Sequence, residues 1–432
     1  MAEHADRERF IPIGKVELVD RLAHSRMVPP NARQSFLLFA KILDSIFHFE
    51  FHEQTESLKE NYRPFNPDSD TVTARRFSRQ ERKSHEDRLM ATFKDVLNQA
   101  NYQQITEADL AYAMSRESLF KINLLVDFED FESQLVFGRG TRSRRIRRKK
   151  WLLKEETVEI TVYERVALII KYKDDSYFKA RNRKDLNFNP GTMIVKLFKN
   201  IPKGDLEMLF PNAQVGMKLK DKLLMGGFAL GGGVAVLLKA GAGLVAAASI
   251  LWLMTRSVVS SGGAIPPMGP VEVSAMVGGV TALAAIGAFL FKQWNSYKNR
   301  KIKFMKMLGD NLYFKNLDNN AGVFYHIIAD AEEEEFKEAL LSYLFLMHAD
   351  TEITASALDD AIEDWFSESY AAAIDFEIDD ALKKLNRLNL CKQTGTDDAG
   401  SPLWRAVPLP EACERLDFIW DHFFQTYSPA SG

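Results

Sequence analysis

Two long apolar stretches separated by a short polar loop dominate the middle of the chain. The first covers residues 223–254 and the second covers residues 273–291. A helix of about 20 apolar residues is long enough to cross the hydrocarbon core of a bilayer. The sequence therefore predicts an α+β membrane protein. A two-helix transmembrane hairpin would join a helical and small β-rich cytoplasmic region to a C-terminal winged-helix-like domain.

The first stretch is longer than one span requires. Its 32 residues would form a helix of about 48 Å, whereas the apolar core measures about 30 Å. We therefore place the spans at residues 234–254 and 273–291, and residues 223–233 become a re-entrant segment, an interfacial segment or part of the first span. Lys239 then lies about two turns inside, as an intramembrane charge that either extends to the surface or has a function.

Basic residues flank the two stretches unevenly. The 20 residues before Leu223 and the 20 after Phe291 contain ten Lys or Arg, whereas the loop between the stretches contains only Arg256. This bias predicts that both termini face the cytoplasm. The predicted location is a prokaryotic cytoplasmic (inner) membrane, or a mitochondrial membrane if the protein is eukaryotic. Small residues at four-residue spacing in both stretches would let helices of neighbouring copies approach closely, which predicts a homo-oligomer.

Composition divides the chain into five regions. The predicted domains are an N-terminal helical region (1–135), a basic turn with a β-rich module (136–222), the hairpin (223–291), a juxtamembrane connector (292–329) and an acidic winged-helix-like domain (330–432).

Residues 31–61 show the apolar periodicity of a long helix, and further helices are predicted at 79–101 and 106–119. The polar face of the first helix carries Asp44, His48 and His52. Histidines at i and i+4 can bind a metal ion together. Without a catalytic HExxH sequence these residues are weak metal candidates, and the alternative is a solvated polar face.

A dense basic run follows Phe137-Gly-Arg-Gly140, a sequence that predicts a turn. The run could bind anionic lipid headgroups, RNA or an acidic protein partner, or it could be a solvated loop. Its seven basic residues are Arg142, Arg144, Arg145, Arg147, Arg148, Lys149 and Lys150.

The C-terminal region is strongly acidic, because residues 330–380 contain seventeen Asp or Glu and a single Lys. Three predicted helices followed by two strands give the order of a winged helix. That fold usually reads DNA through a basic helix, but the helix predicted at 375–388 carries four acids among its first residues. We therefore expect a protein partner for this region and no nucleic acid. Cation binding by the carboxylates is an alternative, although no EF-hand loop is present.

No catalytic or cofactor motif stands out. The glycine-rich segments lack the Lys and Ser/Thr of a phosphate loop, and the eight histidines are scattered. The two cysteines, Cys391 and Cys413, imply no disulfide framework. We therefore expect no cofactor and leave catalytic residues unassigned.

Several segments resemble a membrane family of unknown function that includes mitochondrial transmembrane protein 143. The resemblance implies two membrane spans but no reaction and no catalytic residues. Because the chain has no mitochondrial transit peptide, we expect a prokaryotic relative. The segments are RPFNPDSDT (63–71), VFGRG (136–140), VYERVALIIKYK (162–173), KLFKNIPKGDLEMLFP (196–211), NLDNNAGV (316–323), AEEEEFKEALLSY (331–343) and DFEIDDALKKL (375–385).

Together these features predict a membrane-anchored scaffold or regulatory protein, more consistent with a non-enzyme than with an enzyme. The hairpin would anchor it in the lipid bilayer, and the basic run and the acidic C-terminal region would recruit partners. Two alternatives are an oligomeric pore or transport component with Lys239 lining the pathway, and a membrane-associated enzyme acting on lipid-like substrates.

Overall fold

A computed structural model of the chain describes residues 7–68, 77–106, 108–110, 123–149, 155–183, 186, 188–216, 269–349 and 351–426, with six isolated positions between 245 and 256. Contacts divide the chain into two units. Unit 1 contains Met1–Ala113, Phe128–Lys203 and Lys315–Gly432, and unit 2 contains Met114–Asp127 and Gly204–Phe314.

The helices are numbered along the chain. They are α1 (Lys15–Ala23), α2 (Arg33–Tyr62), α3 (Arg79–Gln99), α4 (Asp175–Ala180), α5 (Pro270–Lys315), α6 (Ala321–His348), α7 (Ala355–Tyr370), α8 (Ile378–Arg387), α9 (Leu409–Asp421) and α10 (Phe423–Thr426).

The strands of the described residues form three antiparallel sheets: β1-β3-β4-β5-β7 and β8-β10-β9, which lie in unit 1, and β2-β6, which lies in unit 2. The strands are β1 (Gln103–Gln104), β2 (Asn123–Leu125), β3 (Phe131–Lys149), β4 (Glu155–Tyr172), β5 (Met193–Pro202), β6 (Gln214–Gly216), β7 (Asn316–Asn319), β8 (Ile353–Thr354), β9 (Cys391–Thr396) and β10 (Pro402–Ala406).

Helix α6 is the centre of unit 1. Apolar side chains along its length are buried on nearly every side, which is the pattern of a helix surrounded by other elements. Helices α2, α3 and α8 pack against it. Phe39 of α2 stacks on Tyr343 of α6 with ring centroids 4.3 Å apart, and the Tyr343 hydroxyl donates to the carbonyl of Val407 (2.8 Å).

Helix α6 also buries charged residues. Glu334 and Lys337 are almost fully buried and lie 2.7 Å apart, and Arg139 of β3 contacts Glu334 and Asp330 at 2.9 Å. The chain before α1 crosses this face: the Ile11 N–H donates to Glu334 (2.8 Å), and the Lys337 ammonium donates to the Ile11 carbonyl (2.8 Å). The ion pairs therefore connect the N-terminal segment, the large sheet and α6.

One finding contradicts the membrane-protein fold that the sequence predicts. Among the residues that the structure describes, no helix is long and apolar enough to cross a membrane. The prediction relied on the length of apolar runs. The second run, 273–291, is not a separate helix but one part of α5, which continues through a lysine-rich segment to Lys315. The predicted inner-membrane or mitochondrial-membrane location is contradicted by the same finding.

The first predicted span, 234–254, lies outside the described residues except at a few isolated positions, and Lys239 is not among those positions.

The basic run lies in a strand, which differs from the turn predicted at Phe137–Gly140. Strand β3 continues through both glycines and pairs with β4 up to Lys149. Gly138 is required here because a Cβ would lie 2.8 Å from the Tyr163 ring, and Gly140 has a left-handed backbone (φ +65°). Glycine in this segment therefore reflects a close approach and a bend inside a strand, not a chain reversal.

The C-terminal elements follow one another as α6, β8, α7, α8, β9 and β10, with the strands in the order β8-β10-β9. This is the element order of a winged helix, and α8 holds the position of the helix that would enter the DNA groove. Helix α9 follows the sheet and packs against α2.

Replacing the buried carboxylate Glu334 by Ala should lower the free energy of unfolding by about 3–5 kcal/mol, because Arg139 and Lys337 would remain buried with less opposing charge. Urea denaturation followed by circular dichroism measures the change. Glu368→Ala on the exposed surface of α7 is the matched control, and it should change stability by less than about 0.5 kcal/mol. A loss below about 1 kcal/mol for Glu334→Ala would show that the cluster does not hold the fold together.

Candidate functional site

The candidate site lies where α8 packs against α6, on a different face of α6 from Glu334 and Lys337. Lys384 of α8 is buried, and its ammonium is the shared partner of three carboxylates. It contacts Asp380 at 2.7 Å and Glu338 at 3.2 Å, and it also pairs with Glu335. Three carboxylates around one ammonium give this cluster a formal charge of about −2 when all four groups are ionised.

Two pockets border this cluster. The first has a volume of about 680 Å³, and seven of its thirteen lining residues are Asp or Glu. The second, of about 650 Å³, lies beside α2 and is lined by Lys384, Glu50 and Glu53. Glu335, Asp380 and Gln99 line both pockets. We call the first pocket the carboxylate cavity; its acidic residues are Asp95, Glu335, Glu338, Asp359, Glu377, Asp379 and Asp380.

Three oxygen atoms around the carboxylate cavity are buried and make no hydrogen bond. They are Oε1 of Glu335, Oε1 of Gln99 and Oδ1 of Asp359. Glu335 is only 2% exposed. A buried polar atom without a partner costs about 1–3 kcal/mol, so its presence in a folded protein requires an explanation.

Burial changes the protonation of this cluster. It raises the pKa of Glu335 and of Glu338 above the ordinary range, and Lys384 only partly opposes the shift. Burial acts to lower the pKa of Lys384, but Glu338, Glu335 and Asp380 outweigh it and raise that pKa. These directions agree physically, because the ammonium stays charged while burial penalises the excess negative charge. Burial, with Glu363 second, also raises the pKa of Asp359 to about 7.

The oxygen atoms of Glu335, Glu338 and Asp380 all lie within 4.8 Å of one another. Within the described part of the chain, this is the group of three His, Cys, Asp or Glu residues whose ligand atoms lie this close together. Asn101, at the end of α3, positions one of them, because its amide donates to Glu338 at 3.1 Å. The cluster is therefore the arrangement best suited to hold a metal ion.

Two of the three basic residues of α8 form ion pairs with other helices. Besides Lys384, Arg387 is engaged in a two-pronged ion pair with Glu50 of α2, with distances of 2.7 and 2.9 Å. Lys383 is exposed but borders the carboxylate cavity. A helix that reads DNA in a winged helix is typically basic on its exposed face, and the absence of a nucleic-acid partner stays a prediction.

The metal candidates from the sequence do not form a common site. Asp44 pairs with Lys15 at 2.7 Å, and His48 contacts Glu332 of α6 at 3.0 Å. His52 is exposed, and its ring lies near Phe49. These contacts distribute the three side chains among different partners, which fits the alternative of a polar helix face.

The basic run begins on an antiparallel ribbon formed by β3 and β4. Arg142, Arg144 and Arg145 are exposed, and Arg142 pairs with Glu164 of β4 at 2.7 Å. Arg147, Arg148 and Lys149 belong to β3 and pair in register with residues 155–157, but their side chains lie outside the described part. Lys150, like Lys239, lies outside the described residues. Lipid or partner contact by this run stays a prediction.

The fold and site define a mixed helix-and-strand protein with a winged-helix-like C-terminal region and a buried carboxylate cluster. Residues 163–322 match the model of a family described as "Protein of unknown function (DUF3754)". The match covers less than half of the chain, so it is a similarity to that family. No solved structure matches this fold. The resemblance to the family that includes mitochondrial transmembrane protein 143 stays a prediction.

Sequence reasoning did not select Glu335, Glu338, Asp380 and Lys384 as a site. It considered cation binding by the acidic region but required a continuous calcium loop. The available signal was the spacing: Glu335 and Glu338 share a face of one helix, and Asp380 and Lys384 share a face of another. Only the packing of α8 on α6 brings the two pairs together.

Glu335→Gln should make stability less sensitive to pH between pH 5 and pH 8. Because the pKa of Glu335 is raised in the folded state, its protonated form stabilises the fold below pH 4.5, its ordinary pKa, and this contribution is lost as pH rises. At each pH we take the melting temperature of the variant minus that of the wild type. We expect this difference to be larger at pH 8 than at pH 5 by about 3 °C or more. Differential scanning fluorimetry in metal-free buffer measures it.

The exposed-residue variant Glu368→Gln serves as the control and should follow the wild type at every pH. A Glu335→Gln variant that also followed the wild type would show that Glu335 is ionised throughout this range.

Proposed function

We propose that this protein is a non-enzymatic regulatory or scaffold protein that binds a protein partner through its C-terminal region. The observation that carries the proposal concerns α8, which holds the position of the DNA-reading helix of a winged helix. Its Lys384 and Arg387 are engaged in ion pairs within the chain. The proposal therefore assigns that helix no role in nucleic-acid binding.

Exposed apolar residues support a protein partner. Phe418, Trp420 and Phe424 on α9 and α10 are exposed. Leu37 and Leu38 are exposed on α2, the helix against which α9 packs. Large aromatic side chains on a surface are typical of protein interfaces, in which they bury much area at a low cost in side-chain entropy.

The exposed arginines on the β3–β4 ribbon offer a second surface, which is positively charged. Arg144 and Arg145 lie beyond the point where β5 stops pairing with β4, at Val162 and Pro202. A basic ribbon of this kind complements an acidic partner surface. It could act together with the aromatic surface in a scaffold.

The test uses the full chain, produced in its native cells and cross-linked before purification. The double variant Trp420→Glu and Phe424→Glu should lose a discrete cross-linked partner that the wild type captures, with its melting temperature within about 2 °C of the wild type. Mass spectrometry of the cross-linked species measures the loss. The matched control is Val16→Glu, an equally apolar-to-acidic change at an exposed position of α1, which should retain the partner.

A partner set that is identical in the double variant and the wild type would contradict the proposed surface. Binding of a 30-base-pair duplex with a dissociation constant below about 1 μM at physiological salt would contradict the proposed class, because it is tighter than non-specific binding.

A further inference from the structure

We propose that the carboxylate cavity binds Ca²⁺ through Glu335, Glu338 and Asp380, in competition with the ammonium of Lys384. This inference goes beyond the proposed function, since a scaffold needs no bound cation.

The separation of the ligand atoms fits one coordination sphere. A calcium ion takes oxygen ligands at about 2.3–2.6 Å, so two ligands on opposite sides of the ion lie about 5 Å apart. The carboxylate oxygens of Glu335, Glu338 and Asp380 all lie within 4.8 Å of one another. An ion could therefore contact all three without movement of α6 relative to α8.

Unpartnered oxygens provide an independent indication of a ligand. Oε1 of Glu335 is buried in a residue that is 2% exposed, and it has no hydrogen-bond partner. Oε1 of Gln99, which lines the same cavity, is also buried without a partner. Both are acceptor oxygens, and a bound cation would satisfy them. Lys384 pairs with the other oxygen of Glu335, Oε2, and leaves Oε1 without a partner.

The charge of the cluster favours a divalent ion. Lys384 neutralises one of three carboxylates, whereas a divalent ion would neutralise two. The ion would displace the Lys384 ammonium toward the neighbouring pocket of about 650 Å³, which Lys384 lines together with Glu50 and Glu53. The long, flexible lysine stem allows the ammonium to move while its methylene groups stay packed.

The ligand set distinguishes Ca²⁺ from Mg²⁺. Three carboxylates and a neighbouring amide oxygen suit the six to eight oxygen ligands and flexible geometry of Ca²⁺. Mg²⁺ requires a near-ideal octahedron and usually keeps several waters with one or two carboxylates. We therefore expect Ca²⁺ to bind more tightly than Mg²⁺.

The charged groups that face the ligands come from every element around them: Glu50, Glu53 and Arg387 beside α2, Asp95 of α3, Asp359 of α7, Glu377 before α8, and Asp379, Lys383 and Lys384 on α8.

The experiment is isothermal titration of the metal-free full chain with CaCl₂ at pH 7.5, with MgCl₂ and with KCl at equal ionic strength. Lys384→Met removes the competing ammonium and keeps the apolar stem, so it should bind Ca²⁺ at least about fivefold more tightly than the wild type. Asp380→Asn removes a ligand that is half exposed, so the variant should fold, and it should bind at least about tenfold more weakly. Glu368→Gln is the matched control and should bind like the wild type.

Opposite effects of Lys384→Met and Asp380→Asn on Ca²⁺ affinity would support the proposal, because a structural ion pair predicts no such pattern. Absence of a Ca²⁺ heat in both the wild type and Lys384→Met would overturn it. Unchanged affinity in Asp380→Asn would place the ion elsewhere and overturn it as well. Mg²⁺ affinity equal to or above that of Ca²⁺ would overturn the assignment of the ion.

Discussion

The burial of charged residues on α6 is the constraint on which the rest of unit 1 depends. A helix surrounded by other elements would ordinarily be apolar throughout, but α6 carries Glu334, Glu335, Lys337 and Glu338 in its buried part. Each of these charges requires a partner, because an unpaired buried charge costs several kcal/mol. The partners come from distant parts of the chain, so pairing fixes where the N-terminal segment, β3 and α8 must lie.

The two charged faces of α6 differ in how their carboxylates are paired. On the face toward Arg139, each buried carboxylate has a cationic or backbone partner. On the face toward α8, three carboxylates share Lys384, and an oxygen of Glu335 has no partner. The first arrangement is that of a structural ion-pair network. The second keeps uncompensated negative charge inside a pocket, which a purely structural network would avoid.

Local patterns predicted local elements well. The apolar periodicity predicted α2 and α3 close to their observed bounds, and the helix predicted at 375–388 corresponds to α8. The apolar run at 273–291 misled the prediction, because run length does not reveal the longer helix that contains it. Glycines at 138 and 140 misled it as well, because a close tertiary contact and a turn leave the same residue in the sequence.

The sequence by itself determined helices α2 and α3 and the element order of the C-terminal region, because hydrophobic periodicity depends on residues a few positions apart. Only the tertiary structure decided which charges meet. Glu335 and Lys384 are 49 positions apart, and the packing of two helices sets their contact, so no local pattern could select Lys384 from the other lysines or reveal the carboxylate cavity.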